Sequence, residues 1–437
     1  MHLRPESRGA LLALLALALV LRVGFLVGAV GSDAPLRGDE VDYQHHAADL
    51  ALGKGFVSND GQPSAARPPL LPLLLGGLYR IFGVHVAVGR ALEIALGVLI
   101  VGLTYLLAAR FFSRRVALVA AGLAALNPYL IFISSYILTE NLYMVLLLAL
   151  LLVLERARRR LFDLGDMAVA GVLLGLVSLT RPYGVIFAAV VLLAIALIAP
   201  VALPARAMRG FVFLAALCLT ILPWAARNHA RLGEWVIFTT HGGITFYQSN
   251  NLLVVEEPSM RGGVAPREML PGWDKLEAAG ETERDREAWQ LARSFLRENR
   301  RLVPRLVGYR FLRFWRLRSH APSSGVKGGW WWNKGKVVGR LASTFDAGIV
   351  YSIVVIPSFL VGLVVTARQW RRLYSFYGVV LVHLAIGLAF YGSLRARLPV
   401  ELIMAILGAA GLAFLAARLR GLRAAAGRAE SATGGLG

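Results

Sequence analysis

The sequence is poor in cysteine, in lysine and in acid. Its one cysteine, Cys218, lies in an apolar run, so no internal disulfide can form and the redox compartment is left open. Only five of the 47 basic residues are lysines (positions 54, 275, 327, 334 and 336), and the Arg/Ala/Leu-heavy composition is of the kind a GC-rich bacterial genome encodes. No P-loop, GxSxG elbow, zinc-ligand cluster or Rossmann turn occurs. Gly242-Gly243 and Gly262-Gly263 lack a strand–helix frame and read as loop punctuation. There is no internal repeat of the kind that builds the inverted halves of a transporter. The apolar runs also lack the two-residue alternation of a membrane barrel.

What is present is apolar surface. The 437 residues are 57% hydrophobic, with a mean hydropathy of +0.62, and the apolar residues come in blocks long enough to cross a hydrocarbon core. Backbone polar groups in lipid must be satisfied within their own segment, so an all-α polytopic membrane protein is predicted. Apolar segments near 10–30, 86–109, 116–133, 140–154, 166–180, 183–200, 210–225, 346–366, 374–391 and 399–418 predict about ten spans. Residues 67–83, opening on RPPLLP, read as a short interfacial or partly inserted helix. The N-terminal run after Arg4 and Arg8 exceeds the roughly 7–15 residues of a signal-peptide core and reads as a retained first helix.

The chain then divides into an N-terminal transmembrane module (1–225) with a first outer loop (31–85), a large outer loop (226–345), C-terminal helices (346–423) and a small polar disordered tail (424–437). Short loops carrying Arg110/Arg114/Arg115, Arg156/Arg158/Arg159/Arg160, Arg206/Arg209 and Arg368/Arg371/Arg372, with the Arg418–Arg428 tail, fall on one face. By the positive-inside rule that face is cytoplasmic and holds both termini. The second outer loop is itself basic, but long loops are largely exempt from the rule.

The net charge of +21 does not argue for nucleic acid, because the arginines sit at the ends of apolar blocks or in one long loop. The remaining excess suits an anionic substrate. Residues 288–318 predict a basic amphipathic helix on the outer headgroup layer, broken near Pro304. Trp330-Trp331-Trp332 reads equally as a cover over an acceptor or as an interfacial anchor.

Chemistry concentrates in residues 37–55, RGDEVDYQHHAADLALGKG. Glu40–Leu52 predicts a helix ending at Gly53, for which Asp39 is a good N-cap and the early carboxylates suit the dipole. His45 and His46 are adjacent on a helix and do not face one another, so a shared metal is not expected. Arg22 lies roughly 12 Å inside the first span at ~1.5 Å per residue. Arg90 and Glu93, near the outer end of the second span, read either as the lining of an outward cavity or as a structural pair at helical spacing. Thr139-Glu140, Arg181-Pro182-Tyr183, Arg67-Pro68-Pro69 and Arg395/Arg397 all fall on the same face as Asp39. Any one of these alone is an interfacial anchor; together they suggest an acid/base group beside an anion site.

A first span followed by GDExxYxxxAxxLxxGxG, then RPPLLPLLLGGLYRIFG and VGRALEIALG, resembles the GT-C superfamily of polyprenyl-phosphate-dependent glycosyltransferases. The similar branch holds the lipid A aminoarabinose transferases, the protein O-mannosyltransferases and the RgtABCD-like transferases. The resemblance continues through LNPYLIFISSYILTENLYM, GLVSLTRPYGVIF, LPWAARNHARLGEWVIFTTHGGITFYQSNN and SLRARLPVELIMAILGAAGL. It implies a bundle of about ten transmembrane helices with two large outer loops carrying interfacial helices. It also implies that Asp39 is the catalytic carboxylate, supported by Glu40 and by Glu140 at the start of the fourth span. Arg67, where the family often has lysine, is implied to contact the donor phosphate, with Arg181, Arg395 and Arg397 as further phosphate candidates. Tyr43 and Arg90 complete the set as substrate contacts. Aliphatic Leu70 and Leu71 follow the double proline where the family often has aromatics.

The function implied is inverting sugar transfer, on the outer face of a bacterial inner membrane, from a polyprenyl-phosphate-linked donor to a lipid, polysaccharide or protein acceptor. A divalent cation beside the acids is allowed, but no ligand cluster demands one and no cofactor is required. A transporter or lipid flippase is the rival reading, and would place its ionisable residues near the midplane. A non-catalytic scaffold, in which Asp39 only caps its helix, is the third.

Overall fold

The computed structural model describes residues 5–317 and 336–433; the Trp330–Trp332 run lies outside the described residues. Among the described residues the chain is helical throughout, apart from one isolated bridge between Val57 and Pro63. The first half contains α1 (Pro5–Phe25, extended by a π-turn at Leu26–Val30), α2 (Asp39–Ala51), α3 (Leu70–Phe82), α4 (Val86–Phe111), α5 (Arg114–Leu126), α6 (Pro128–Ile133), α7 (Thr139–Arg159), α8 (Leu164–Thr180), α9 (Phe187–Ile198) and α10 (Leu203–Leu232). The long loop folds as α11 (Gly242–Ser249), α12 (Leu253–Glu256), α13 (Trp273–Ala278), α14 (Glu281–Glu298) and α15 (Val303–Phe314). The chain returns through α16 (Lys336–Thr366), α17 (Trp370–Ala389) and α18 (Leu394–Thr433).

Local chemistry sets many of these boundaries. Ser113, Asn127 and Asp163 cap α5, α6 and α8 through their side chains, Asn127 accepting from the Tyr129 N–H at 2.9 Å. Glycines permit the closest helix contacts: a Cβ at Gly171 would collide with the Phe213 carbonyl of α10, and one at Gly362 with the Leu407 carbonyl of α18. Helices can meet at backbone distance there without a lipid-facing driving force.

Five stretches are long and apolar enough to cross a membrane: Arg8–Val30, Val86–Phe111, Leu203–Leu232, Ala347–Ala389 and Leu394–Leu422. The fourth is interrupted by a 3-10 turn at Ala367–Gln369 and so comprises two helices. Leu70–Phe82, Leu164–Thr180 and Pro182–Ile198 are shorter apolar helices. Against the expected ten spans, the described residues give five long apolar stretches, one of them two helices, and three shorter apolar helices. A 13-residue helix such as α5 is only about 20 Å long against a core of about 30 Å. The expected short helix after the double proline is α3.

Hydrogen bonds sort the charged residues to two ends of the bundle. At one end Arg159 and Arg372 donate to the Arg110 carbonyl at the close of α4, at 2.8 and 3.2 Å, and Arg209 donates to the Leu161 carbonyl. At the other end Arg90, in the first turns of α4, donates to the carbonyls of Gly31, Ser32 and Ala34. The 26 residues of α4 hold these ends about 39 Å apart.

The second loop builds a small core of its own, in which Ile244, Tyr247, Val254, Trp273, Ala288 and Leu306 are buried together. The expected amphipathic helix over 288–318 is two helices, α14 and α15, parted at 299–302 with Pro304 in the first turn of α15. Two of its arginines, Arg310 and Arg313, bind protein, Arg313 donating to the Arg261 carbonyl at 3.1 Å, while Arg293, Arg297, Arg300, Arg301 and Arg305 are exposed. Arg310 is buried and donates to the Leu388 and Ala389 carbonyls at 2.9 and 3.0 Å, fastening the loop to the end of α17.

Candidate active site

The first long loop leaves α1 and enters α2 at Gly38, whose φ of +56° suits glycine. Gly38 is the N-cap, and no side chain caps this helix. Asp39 is thus the first helical residue and its carboxylate makes no capping bond, contrary to the capping expectation. That carboxylate is turned instead toward two guanidinium groups. Its Oδ1 pairs with Arg67 Nη2 at 2.9 Å and its Oδ2 with Arg395 Nη1 at 2.9 Å.

Arg395, in the first turn of α18, is shared. Its Nε donates to Glu140 Oε1 in the first turn of α7. The same oxygen accepts from Arg181 Nη2 at 3.2 Å, and Arg181 Nη1 donates to the Tyr183 hydroxyl at 3.0 Å. On the other flank Arg67 Nε donates to Asp42 Oδ2 at 2.9 Å, and its guanidinium lies 5.6 Å from the centre of the buried Tyr43 ring. Residues from α2, the pre-α3 loop, α7, the α8–α9 turn and α18 therefore form one alternating chain of three carboxylates and three guanidinium groups. Of the two acids on Arg395, Asp39 has 14% of its side chain exposed and Glu140 only 1%. Asp39 is thus the more accessible of the two.

Burial alone would raise the Asp39 carboxyl, but Arg67 and Arg395 outweigh it and hold the group well below the usual carboxylate range. Two further residues approach from the long loop. Arg267 Nη2 lies 3.2 Å from His241 Nε2, and both interact electrostatically with Asp39 and Arg67. Burial, then Arg67 and Arg267, keep His241 well below its ordinary value and therefore neutral.

The cluster thus unites five of the expected residues: Asp39, Arg67, Glu140, Arg181 and Arg395. Tyr43 is present as a shelf beneath Arg67. Glu40 is not brought into the cluster: it is buried, accepting from the Ile137 N–H at 3.0 Å and the Arg37 N–H at 3.2 Å, which staples α2 to the α6–α7 turn. Arg90 is likewise consumed by the carbonyls of residues 31–34. Its expected partner Glu93 accepts from Asn141 Nδ2 at 2.9 Å instead. Arg397 is fully buried, pairing with Glu401 at 2.7 Å and donating to the Phe314 and Arg316 carbonyls. Arg22 donates to Ser134 and to the Ala18 carbonyl. Sequence reasoning missed Asp42, His241 and Arg267. Asp42 was signalled by its place one helical turn after Asp39, whereas nothing local marks the other two.

The fold and the site define a class, an all-α multi-pass membrane protein with a cluster of acids and arginines at one end of its bundle. Residues 66–226 match the family described as dolichyl-phosphate-mannose-protein mannosyltransferase, which takes in Arg67, Glu140 and Arg181. The GT-C resemblance in the motifs is thereby met. No curated protein matches the chain in sequence. Among solved structures, the archaeal oligosaccharyltransferase AglB from Archaeoglobus fulgidus, in complex with an inhibitory peptide and a dolichol-phosphate, aligns over 96% of this chain and 51% of its own. The TM-score is 0.55 at 16% identity. The same enzyme in complex with Zn and sulfate aligns over 94% and 49%, with a TM-score of 0.55 at 16% identity. The chain thus spans about half the length of AglB. ArnT from Cupriavidus metallidurans bound to undecaprenyl phosphate aligns over 92% of this chain and 78% of its own, at 18% identity and a TM-score of 0.45.

Glu140 Oε2 is buried without a hydrogen-bond partner among the described residues and is one donor that a cation could use. Both Asp39 oxygens and Glu140 Oε1 are committed to guanidinium groups. Among the described residues no three His, Cys, Asp or Glu side chains converge as ligands.

Proposed function

We propose that this protein is a membrane glycosyltransferase that moves a sugar, with inversion, from a polyprenyl-phosphate donor to an acceptor hydroxyl on the outer face of a bacterial inner membrane. The observation that carries the reading is the Asp39–Arg395–Glu140 bridge flanked by Arg67 and Arg181. It sets Asp39, the more accessible of the two acids on Arg395, among several fixed cations at one end of the bundle. The dolichol-phosphate bound by AglB is a ligand of the same chemistry. The basic ends near Arg110, Arg159 and Arg372 support a cytoplasmic assignment for the opposite end.

In this mechanism an Asp39 oxygen accepts the proton of the acceptor hydroxyl while the acceptor oxygen attacks the anomeric carbon. The anomeric carbon–phosphate oxygen bond breaks and its electron pair leaves with the polyprenyl phosphate. Arg67, Arg181 and Arg395 stabilise the charge that develops there. Glu140 holds Arg395 and Arg181 in place. In the resting site Asp39 is a weak base, because two guanidinium groups share it. An arriving phosphate competes for those cations and leaves the carboxylate more basic when the acceptor comes. The lipid phosphate is a sufficient leaving group, so no step is routed through a metal.

Asp39→Asn is the test, in purified protein in nanodiscs supplied with a labelled polyprenyl-phosphate sugar. Loss of general-base assistance should lower transfer by about 10²–10⁴-fold. Transfer at the wild-type rate would remove Asp39 from the mechanism, and transport of the donor without transfer would favour a flippase.

A further inference from the structure

One face of α4 receives the turn between α6 and α7. Gly89, Glu93 and Gly97 follow one another at four-residue intervals and so form a row along the helix. A Cβ at Gly89 would stand 2.5 Å from Ile137 Cδ1, and one at Gly97 would collide with Ser134 Oγ and Arg22 Nε. Between the two glycines Glu93 is fully buried. Its Oε2 accepts from Asn141 Nδ2 at 2.9 Å, and the Leu138 N–H faces the same carboxyl. The Asn141 amide also reaches the Glu93 backbone carbonyl at 3.3 Å and Ser134 Oγ at 3.4 Å. Residues 134–141 are thus seated on α4 by two close approaches with a carboxyl between them.

A carboxyl is a costly way to fill that place. Among the described residues Glu93 forms no ion pair, and its Oε1 has no hydrogen-bond partner. An apolar side chain would pack there with no polar atom to desolvate. What an apolar side chain cannot do is fix α7 lengthwise. The N-cap of α7 is Leu138, and no side chain of its own caps the helix. The directed contacts at its start come instead from Glu93, on another helix.

Glu140 directly precedes Asn141, and its Oε1 has to serve Arg395 Nε and Arg181 Nη2 together. Asp39, at the other end of the Arg395 bridge, is referenced to the same turn, because its neighbour Glu40 accepts from the Ile137 N–H at 3.0 Å. Resting on the transferase reading above, we propose that Glu93 is a positioning residue for sugar transfer: by holding α7 in register on α4, it sets Glu140 at the separation from Asp39 that Arg395 spans. A slip of α7 by about 1 Å would part Arg395 from one of its two acids, and misplacement on that scale is enough to slow a reaction about a hundredfold.

The test uses the full chain in nanodiscs with the labelled donor, and reads kcat and the thermal midpoint together. Glu93→Leu removes the acceptor and should lower kcat by about ten- to a hundredfold. Glu93→Gln keeps an acceptor oxygen for Asn141 and should stay close to wild type. A loss in Glu93→Gln as deep as in Glu93→Leu would mean that charge, not register, is at work, and would overturn the inference. Glu140→Gln breaks the Arg395 bridge directly, so adding Glu93→Leu to it should cost little more. A double variant that falls by the product of the two single effects would show that Glu93 acts elsewhere, and the inference fails. Arg90→Ala, on the same helix, is the structural control, and should lower the midpoint while keeping kcat. If it loses kcat as Glu93→Leu does, the kinetic loss reflects only a softened bundle and the positioning role is gone. Should Glu93→Leu not fold, Asn141→Ala removes the same contact from the other side and is read in the same way. Each of these failures leaves wild-type transfer intact and the transferase reading standing. A wild-type chain that transfers no sugar would refute that reading, and this inference with it.

Discussion

Replacing Arg90 with alanine separates two jobs that arginine does in this molecule. Arg90 is 2% exposed and its guanidinium spans three backbone carbonyls between α1 and α2, at 3.0 Å from Gly31 and 2.5 Å from Ala34, with Ser32 between them. Hydrogen bonds from a charged donor each net about 1.5–3 kcal/mol. Ser32 is exposed and its carbonyl regains water in the variant, so the two remaining bonds put the loss at about 3–6 kcal/mol. The variant should unfold several degrees earlier in detergent and be nicked sooner by protease in residues 31–38. Its surviving fraction should keep the donor KM within about twofold, since a residue that touches only backbone contributes no substrate binding. An unchanged midpoint with a raised donor KM would refute this reasoning and return Arg90 to the substrate.

Two other outcomes follow from the electrostatics of α2. Burial raises the Asp39 carboxyl while Arg67 and Arg395 lower it further, so Arg395→Gln should let it rise and move the acid limb of kcat/KM to higher pH. An acid limb that does not move would mean another group is responsible for it. His46 is buried and stacked on Phe56 at 4.1 Å, and burial holds its imidazole down to about 4. In the unfolded chain it titrates near 6.5, so as pH falls from about 7 to about 5 the unfolded state takes a proton that the folded state refuses, and about 1–2 kcal/mol of stability is lost. His46→Phe should flatten that part of the stability–pH curve, and an unaltered slope would rule His46 out as its source.

The membrane class, the helix after Gly38, the short α3 and the convergence of Asp39, Arg67, Glu140, Arg181 and Arg395 were all legible in the sequence. Each is signalled by something local: an apolar run, a helix start, or a charge at the end of a span. What was not legible was the partner of each charge. Arg90, Arg310 and Arg397 carry the same local signature as Arg395, yet they donate to carbonyls of distant loops, Arg397 beside its pair with Glu401. Phe314, for instance, lies 83 residues from Arg397. Glu40 and Asp39 are neighbours of the same type, and a helical step of about 100° sends one to backbone N–H groups and the other to the arginines. Arg267 lies in a long loop whose fold rests on its own small core, so nothing near it in sequence marked it.

The arginine fastenings change what the charge of this protein means. Arg227 joins them, donating to the Ser64 and Phe56 carbonyls at 2.6 and 2.5 Å and so tying the first long loop to α10. Each of these links uses a planar fan of donors reaching two or three acceptors at once, which an ammonium on a flexible stem reproduces poorly. Counted by formal charge, the chain is a strongly cationic object. Counted by use, much of that cation inventory is joinery, its N–H groups spent inside the molecule. The scarcity of lysine then marks a building method, and the charge offered to a ligand is the small remainder that the joints leave over.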